Sequence, residues 1–141
     1  MKWVTRQNAK VGRVACPWLI KRFIDPNAEF IYVPAERVLE EAKRSGGHSY
    51  DAPEAEFGHQ GSACTFETLM AEFRIGGGAM ERLAAIVHGA DIPQDLALTP
   101  EAAGLLAISE GLALTCPDDH RKLAAMFPIY DALYAYCGSR G

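Results

Sequence analysis

The run Glu29-Phe30-Ile31-Tyr32-Val33, closed by Pro34, constrains this chain more than any other segment. Four aromatic or β-branched residues after Glu29, ended by a proline, read as a strand. Residues 2–5 read as a short opening strand. The stretch between the two carries a helical pattern in Pro17, Trp18, Leu19, Arg22 and Phe23 that stops before Pro26. Strands joined through a helix run parallel, so the N-terminal part is expected to be a βαβ unit. Pro17 is tolerated in the first turn of a helix, which places the helix start at that residue and Cys16 just outside it. A second helix is expected over 34–44, with Val38 and Leu39 inward. Residues 45–63, with four glycines and two histidines, form the long loop, broken by a short strand over 55–57. Loops of that length are usually functional. Apolar steps of three and four residues then predict helices over 65–73, 79–88, 100–112 and 117–136. Thr99-Pro100-Glu101 reads as a capped helix start, and Pro128 is expected to kink the last helix. The fold class is α+β: a helix-rich single domain over 1–141 with a small sheet that includes a parallel βαβ pair.

Composition narrows the function. With 49% apolar and 23% charged residues, the chain is neither disordered, collagen-like nor a coiled coil. A net charge of -4 argues against a dedicated nucleic-acid binder. No apolar leader core follows Met1 and no stretch reads as a membrane span. Cys16, Cys64, Cys116 and Cys137 form no C-x-x-C pair, so reduced thiols in a cytoplasmic protein are expected.

Two of these thiols are expected at helix N-termini: Cys16 before Pro17, and Cys64 before Thr65-Phe66-Glu67. Unpaired N–H groups there favour thiolate over thiol, which makes Cys64 and Cys16 the candidate catalytic cysteines. Cys116 faces Asp118 and Asp119, and Cys137 sits at a helix C-terminus, so neither favours an anion. The competing reading is that free cysteines simply pack in the core. Cys16 to Arg22 has the spacing of a phosphate-binding loop, but Pro17 lacks an N–H and Trp18 is bulky, so that loop is rejected. Arg13 near the same helix start remains a candidate for holding an oxyanion.

His59 lies in the turn Gly58-His59-Gln60-Gly61, where neither a helix end nor an apolar pattern accounts for it. His88 precedes Gly89-Ala90-Asp91, a placement that also suits an ordinary helix C-terminus. Imidazole, carboxylate and thiolate together suit zinc or another transition metal ion. The candidate metal ligands are His59, His88 and Asp91. His48 reads as a solvated loop residue.

Several stretches together resemble one known family: Trp3-Val4-Thr5-Arg6, the segment from Arg13 through Cys16-Pro17-Trp18 and Arg22 to Asp25, Gly58-His59-Gln60-Gly61, Cys64-Thr65-Phe66-Glu67, His88-Gly89-Ala90-Asp91, Glu101-Ala102-Ala103-Gly104-Leu105 and Tyr130-Asp131-Ala132-Leu133-Tyr134. The chain resembles the C-terminal domain of the chromate resistance protein ChrB, from about Trp3 to Cys137. The resemblance implies a role in bacterial chromate resistance. Relatives commonly carry an additional N-terminal portion linked to chromate-responsive regulation, which this chain is expected to lack, and autonomous DNA binding with it.

The leading expectation is therefore a small domain that binds a metal ion or an oxyanion in a cleft. His59, Cys64, His88 and Asp91 form its floor, Arg13 and Arg22 supply positive charge, and a thiol senses or reduces the oxyanion. Chromate is a dianion, which cationic forks and helix N-termini suit. The rival expectation is a non-enzymatic regulatory or interaction module that docks a protein partner or a second copy. In that reading Arg22 pairs with Asp25, while Trp18 and Phe23 fill the core.

Overall fold

A computed structural model describes residues 1–140. Three strands, β1 (Lys2–Arg6), β2 (Glu29–Val33) and β3 (His48–Ser49), form a sheet in the order β2-β1-β3. β1 pairs in parallel with both neighbours, Val4 opposite Ile31 on one side and Ser49 on the other. The βαβ unit is present, and all three strands share one carboxyl edge.

Side chains of β1 alternate between the two faces of the sheet. Val4 packs on Val38 and Ala42 of helix α2 (Val38–Ser45), which covers one face. Trp3 enters the main core on the other face, with Trp18, Leu19, Phe66, Leu83 and Met126. That core is built from α1 (Gly12–Leu19), α3 (Thr65–Glu72), α4 (Gly78–Asp91), α5 (Ala102–Thr115) and α6 (Asp119–Ser139). No helix among the described residues is long and apolar enough to cross a membrane.

Several expectations need correction. α1 begins at Gly12, not at Pro17, so Cys16 is a fully buried residue inside the helix. Pro17 thus sits mid-helix and leaves the Arg13 carbonyl without its usual amide donor. The Tyr32 hydroxyl replaces it, donating to that carbonyl at 2.7 Å from β2. A π-helical turn, Ile20–Ile24, then ends the segment before Pro26. The second helix starts with a 3-10 turn, Ala35–Arg37, and Leu39 is 43% exposed while Val38 is buried. Gly46, at φ 71°, closes that helix in the left-handed conformation that only glycine adopts without cost.

The long loop contributes the third strand at His48–Ser49, and residues 55–57 form no strand beyond a single bridge from Phe57 to Tyr50. His48 is not a free loop residue: it stacks on Trp3 and lies 2.9 Å from Glu56. Thr99 does not cap α5, nor does Pro100 open it. A 3-10 segment, Pro93–Leu98, precedes it, and Glu101 occupies the cap position. Pro128 lies inside one continuous helix of 21 residues.

α6 is locked to α1 by polar contacts. Trp18 Nε1 donates to Asp131 at 2.7 Å, and Arg22 forks the same carboxylate. Arg22 therefore does not pair with Asp25, which instead accepts from Trp3 Nε1 and holds the N-terminal amine. Phe23 is 42% exposed and packs at the core's margin against Trp18 and Tyr134. Asp119 accepts from the amides of Asn8 and Ala9, fixing the turn that leads from β1 into α1.

Replacing Tyr32 by Phe should leave the Arg13 carbonyl unsatisfied and lower unfolding free energy by about 1–2 kcal/mol, read by urea denaturation. An unchanged midpoint would mean that this hydroxyl does not compensate for Pro17.

Candidate metal centre

The carboxyl edge of a parallel sheet is where chains of this kind converge polar groups, because loops leave the strands there and helix N-termini face them. Here β1 ends at Arg6, β3 runs out into Tyr50-Asp51, and α1 starts at Gly12-Arg13.

Asp51 is the pivot of this edge. Its backbone is left-handed, at φ 48°, a conformation that aspartate tolerates better than most side chains. Its amide, its carbonyl and one carboxylate oxygen are all engaged. Its amide donates to the Phe57 carbonyl at 2.8 Å, and its carbonyl accepts from Arg6 Nε at 3.1 Å and from the Thr5 hydroxyl. Its Oδ1 accepts from the buried Thr65 hydroxyl at 2.8 Å, which ties the loop to the first turn of α3.

Asp91, in the last turn of α4, comes up beside it. His59 closes the group, with Nε2 at 3.4 Å from Asp51 Oδ1 and 3.3 Å from Asp91 Oδ2. The two carboxylates are largely buried, while the imidazole is 48% exposed and faces outward. Gly12 makes room for them: a Cβ there would stand 2.7 Å from Asp51 Oδ2 and 3.3 Å from Asp91 Oδ2. Burial, and next the charge of Asp51, push Asp91 above the ordinary carboxylate range, while His59 and Arg13 oppose the shift. Arg13 is itself lowered, first by burial and then by Arg6, although Asp51, Asp91 and Asp119 act to hold its charge. Its Nη2 donates to the Asn8 carbonyl, and its buried Nε has no partner among the described residues.

A second cluster lies at the start of α3. Cys64 is the N-cap residue and Glu67 the third residue of the helix. The Cys64 amide donates to Glu67 Oε1 at 2.9 Å, half of a capping box. His88, one turn before Asp91 on α4, donates from Nδ1 to the same Glu67 oxygen and from Nε2 to Asp95 Oδ2, at 2.6 Å each. Two carboxylates on its two nitrogens, Asp95 first, hold His88 above the ordinary imidazole range. Burial acts to raise Glu67, but His88 and the Cys64 amide together keep it low.

The sequence-derived candidates therefore separate. His59 and Asp91 meet, joined by Asp51, which sequence reasoning passed over. His88 belongs with Cys64, Glu67 and Asp95. Arg13 lies beside the Asp51 group, whereas Arg22 is committed to Asp131. The helix-start argument for Cys16 fails, since the thiol is inside α1, and burial raises its pKa, with Asp51, Cys64 and Asp91 adding to the effect. Cys64 does sit at a helix start, but it is fully buried, and burial outweighs the Glu67 backbone N–H that favours its thiolate. Asp51 had one visible signal, an acidic residue directly after Ser49-Tyr50 in a Gly- and Pro-rich loop.

Residues 3–137 match the family described as "ChrB, C-terminal domain". The chain belongs to that family. Protein ChrB of Cupriavidus metallidurans (strain ATCC 43123 / DSM 2839 / NBRC 102507 / CH34) is 36% identical over 141 residues, covering 98% of this chain and 41% of the relative. This ChrB C-terminal domain thus spans less than half the length of that protein. No solved structure matches it.

The His88 bridge predicts a pH dependence. A folded-state pKa above the unfolded value gives stability that is complete below the unfolded imidazole pKa, about 6.5. That stability is lost as pH rises through the elevated folded value. In chelator-treated protein, wild type should lose more unfolding free energy than His88→Gln between about pH 6 and about pH 9. Parallel urea-denaturation profiles would contradict the bridge.

Proposed function

We propose that this domain holds a divalent cation at Asp51, His59 and Asp91, and that the cation gives the family's association with chromate resistance a physical site. The spacing of the imidazole from the carboxylates carries this reading. At 3.3 and 3.4 Å, His59 Nε2 stands too far from either oxygen for a well-formed hydrogen bond. Ligands about 2.0–2.1 Å from a tetrahedral ion stand about 3.3–3.4 Å apart. Two carboxylates and one imidazole suit zinc, manganese or ferrous iron, and two negative charges balance a dication. Without it, Asp51 and Asp91 repel each other in a poorly hydrated place.

The same charges bear on the oxyanion. A chromate dianion meets repulsion from Asp51 and Asp91 unless a cation lies between. With the cation bound, a cavity of about 420 Å³ beside His59, lined also by Arg6 and Asp51, gives the anion a way to an open coordination position. Arg6 and Arg13 offset charge at that edge. Arg22, held by Asp131, is not part of this proposal, nor are Cys16 and Cys64 as resting thiolates, because burial keeps both protonated.

A second reading, an interaction module, draws on the exposed apolar residues Ile108 (48%) and Leu114 (88%) of α5. Under it, variants at His59 leave resistance untouched.

Isothermal titration of chelator-stripped protein with Mn²⁺ and Zn²⁺ tests the site. Wild type should bind, and His59→Ala and Asp91→Asn should each weaken binding at least ~10-fold. Gly12→Ala should do the same without touching a ligand, because its Cβ displaces Asp51. Equal affinities in all four proteins would refute the site.

A further inference from the structure

We infer that Cys64, Glu67 and His88 form a second, separate metal site, for a zinc-class ion, with Asp95 orienting the imidazole. Cys64 Sγ, a Glu67 carboxylate oxygen and a His88 ring nitrogen lie within 4.8 Å of one another. Thiolate, carboxylate and imidazole form a ligand set for zinc rather than for magnesium or calcium. The site does not rest on the Asp51 group, with which it shares no ligand.

Three features beyond the ligand list support it. The first is Asp95. Metal-bound histidines commonly donate their other ring N–H to a carboxylate, which fixes the tautomer and aims the free nitrogen. His88 Nε2 donates to Asp95 Oδ2 at 2.6 Å, from a residue outside the ligand set, and leaves Nδ1 directed at Glu67 and Cys64. The second is the position of Cys64 at the N-terminus of α3, where the Glu67 backbone N–H faces the sulfur and lowers the cost of ionising it.

The third is charge. Glu67 and Asp95 bring two carboxylates against the two ring nitrogens of His88, so a dication held beside them meets negative charge already in place. Glu67, one-third exposed, lines a cavity of about 390 Å³ with Met70 and Ile75, which opens the cluster to solvent.

Cobalt(II) is the probe, because only a thiolate ligand gives it an intense near-ultraviolet charge-transfer band. Titrated into chelator-stripped protein, Co²⁺ should produce this band in wild type and equally in His59→Ala. Cys64→Ser, which keeps a good helix cap, and His88→Gln should lose the band while circular dichroism shows an intact fold. Asp95→Asn should keep the band and weaken binding by about 10–100-fold. A wild type without the band at saturating Co²⁺, or a band that survives Cys64→Ser, would overturn the assignment.

Discussion

Two carboxylates that repel each other, Asp51 and Asp91, meet at the carboxyl edge of the sheet, and much of the surrounding structure exists to hold them there. Asp51 takes a left-handed backbone and gives its amide, carbonyl and carboxylate to three different segments. Gly12 gives up a side chain so that both oxygens can approach the first turn of α1. That turn is anchored in its place by Asp119 of α6, which grips the preceding amides. The charges of His59 and Arg13 reduce the repulsion. A bound dication would remove it.

The thiols illustrate how burial and function pull apart. A helix N-terminus favours an anion at Cys64, yet desolvation wins as long as nothing replaces the lost proton. A dication bound to the sulfur would satisfy both demands. His88 and Asp91 lie in the final turn of α4, three residues apart and thus about 60° apart around the helix axis. One short turn in this way supplies a side chain to each of the two clusters. In a family whose longer members include protein ChrB, such a domain would contribute a compact metal-binding unit to a larger chain.

Much of the architecture was legible in the residues. Continuous β-branched and aromatic residues marked β2, the helical stretch before it required a parallel pairing, and three- and four-residue apolar steps marked α3 to α6. Helix starts were less legible. Pro17 is compatible with a first turn, and only the distant Tyr32 hydroxyl explains how it fits mid-helix. His59 was legible because no structural role accounted for it. Asp51 was not, since its importance comes from contacts with Arg6, Phe57 and Thr65, which are remote in sequence or bound through the backbone. For the same reason His59, His88, Cys64 and Asp91 read as one floor: the sequence shows their chemistry but not the angle between neighbouring positions on α4.

The most direct test is a crystal structure of the Mn²⁺-soaked protein with anomalous data collected above the manganese edge. The account predicts an anomalous peak bonded to Asp51, His59 and Asp91 together. An Asp51–His59–Asp91 group that stays free of metal at saturating Mn²⁺ would contradict it.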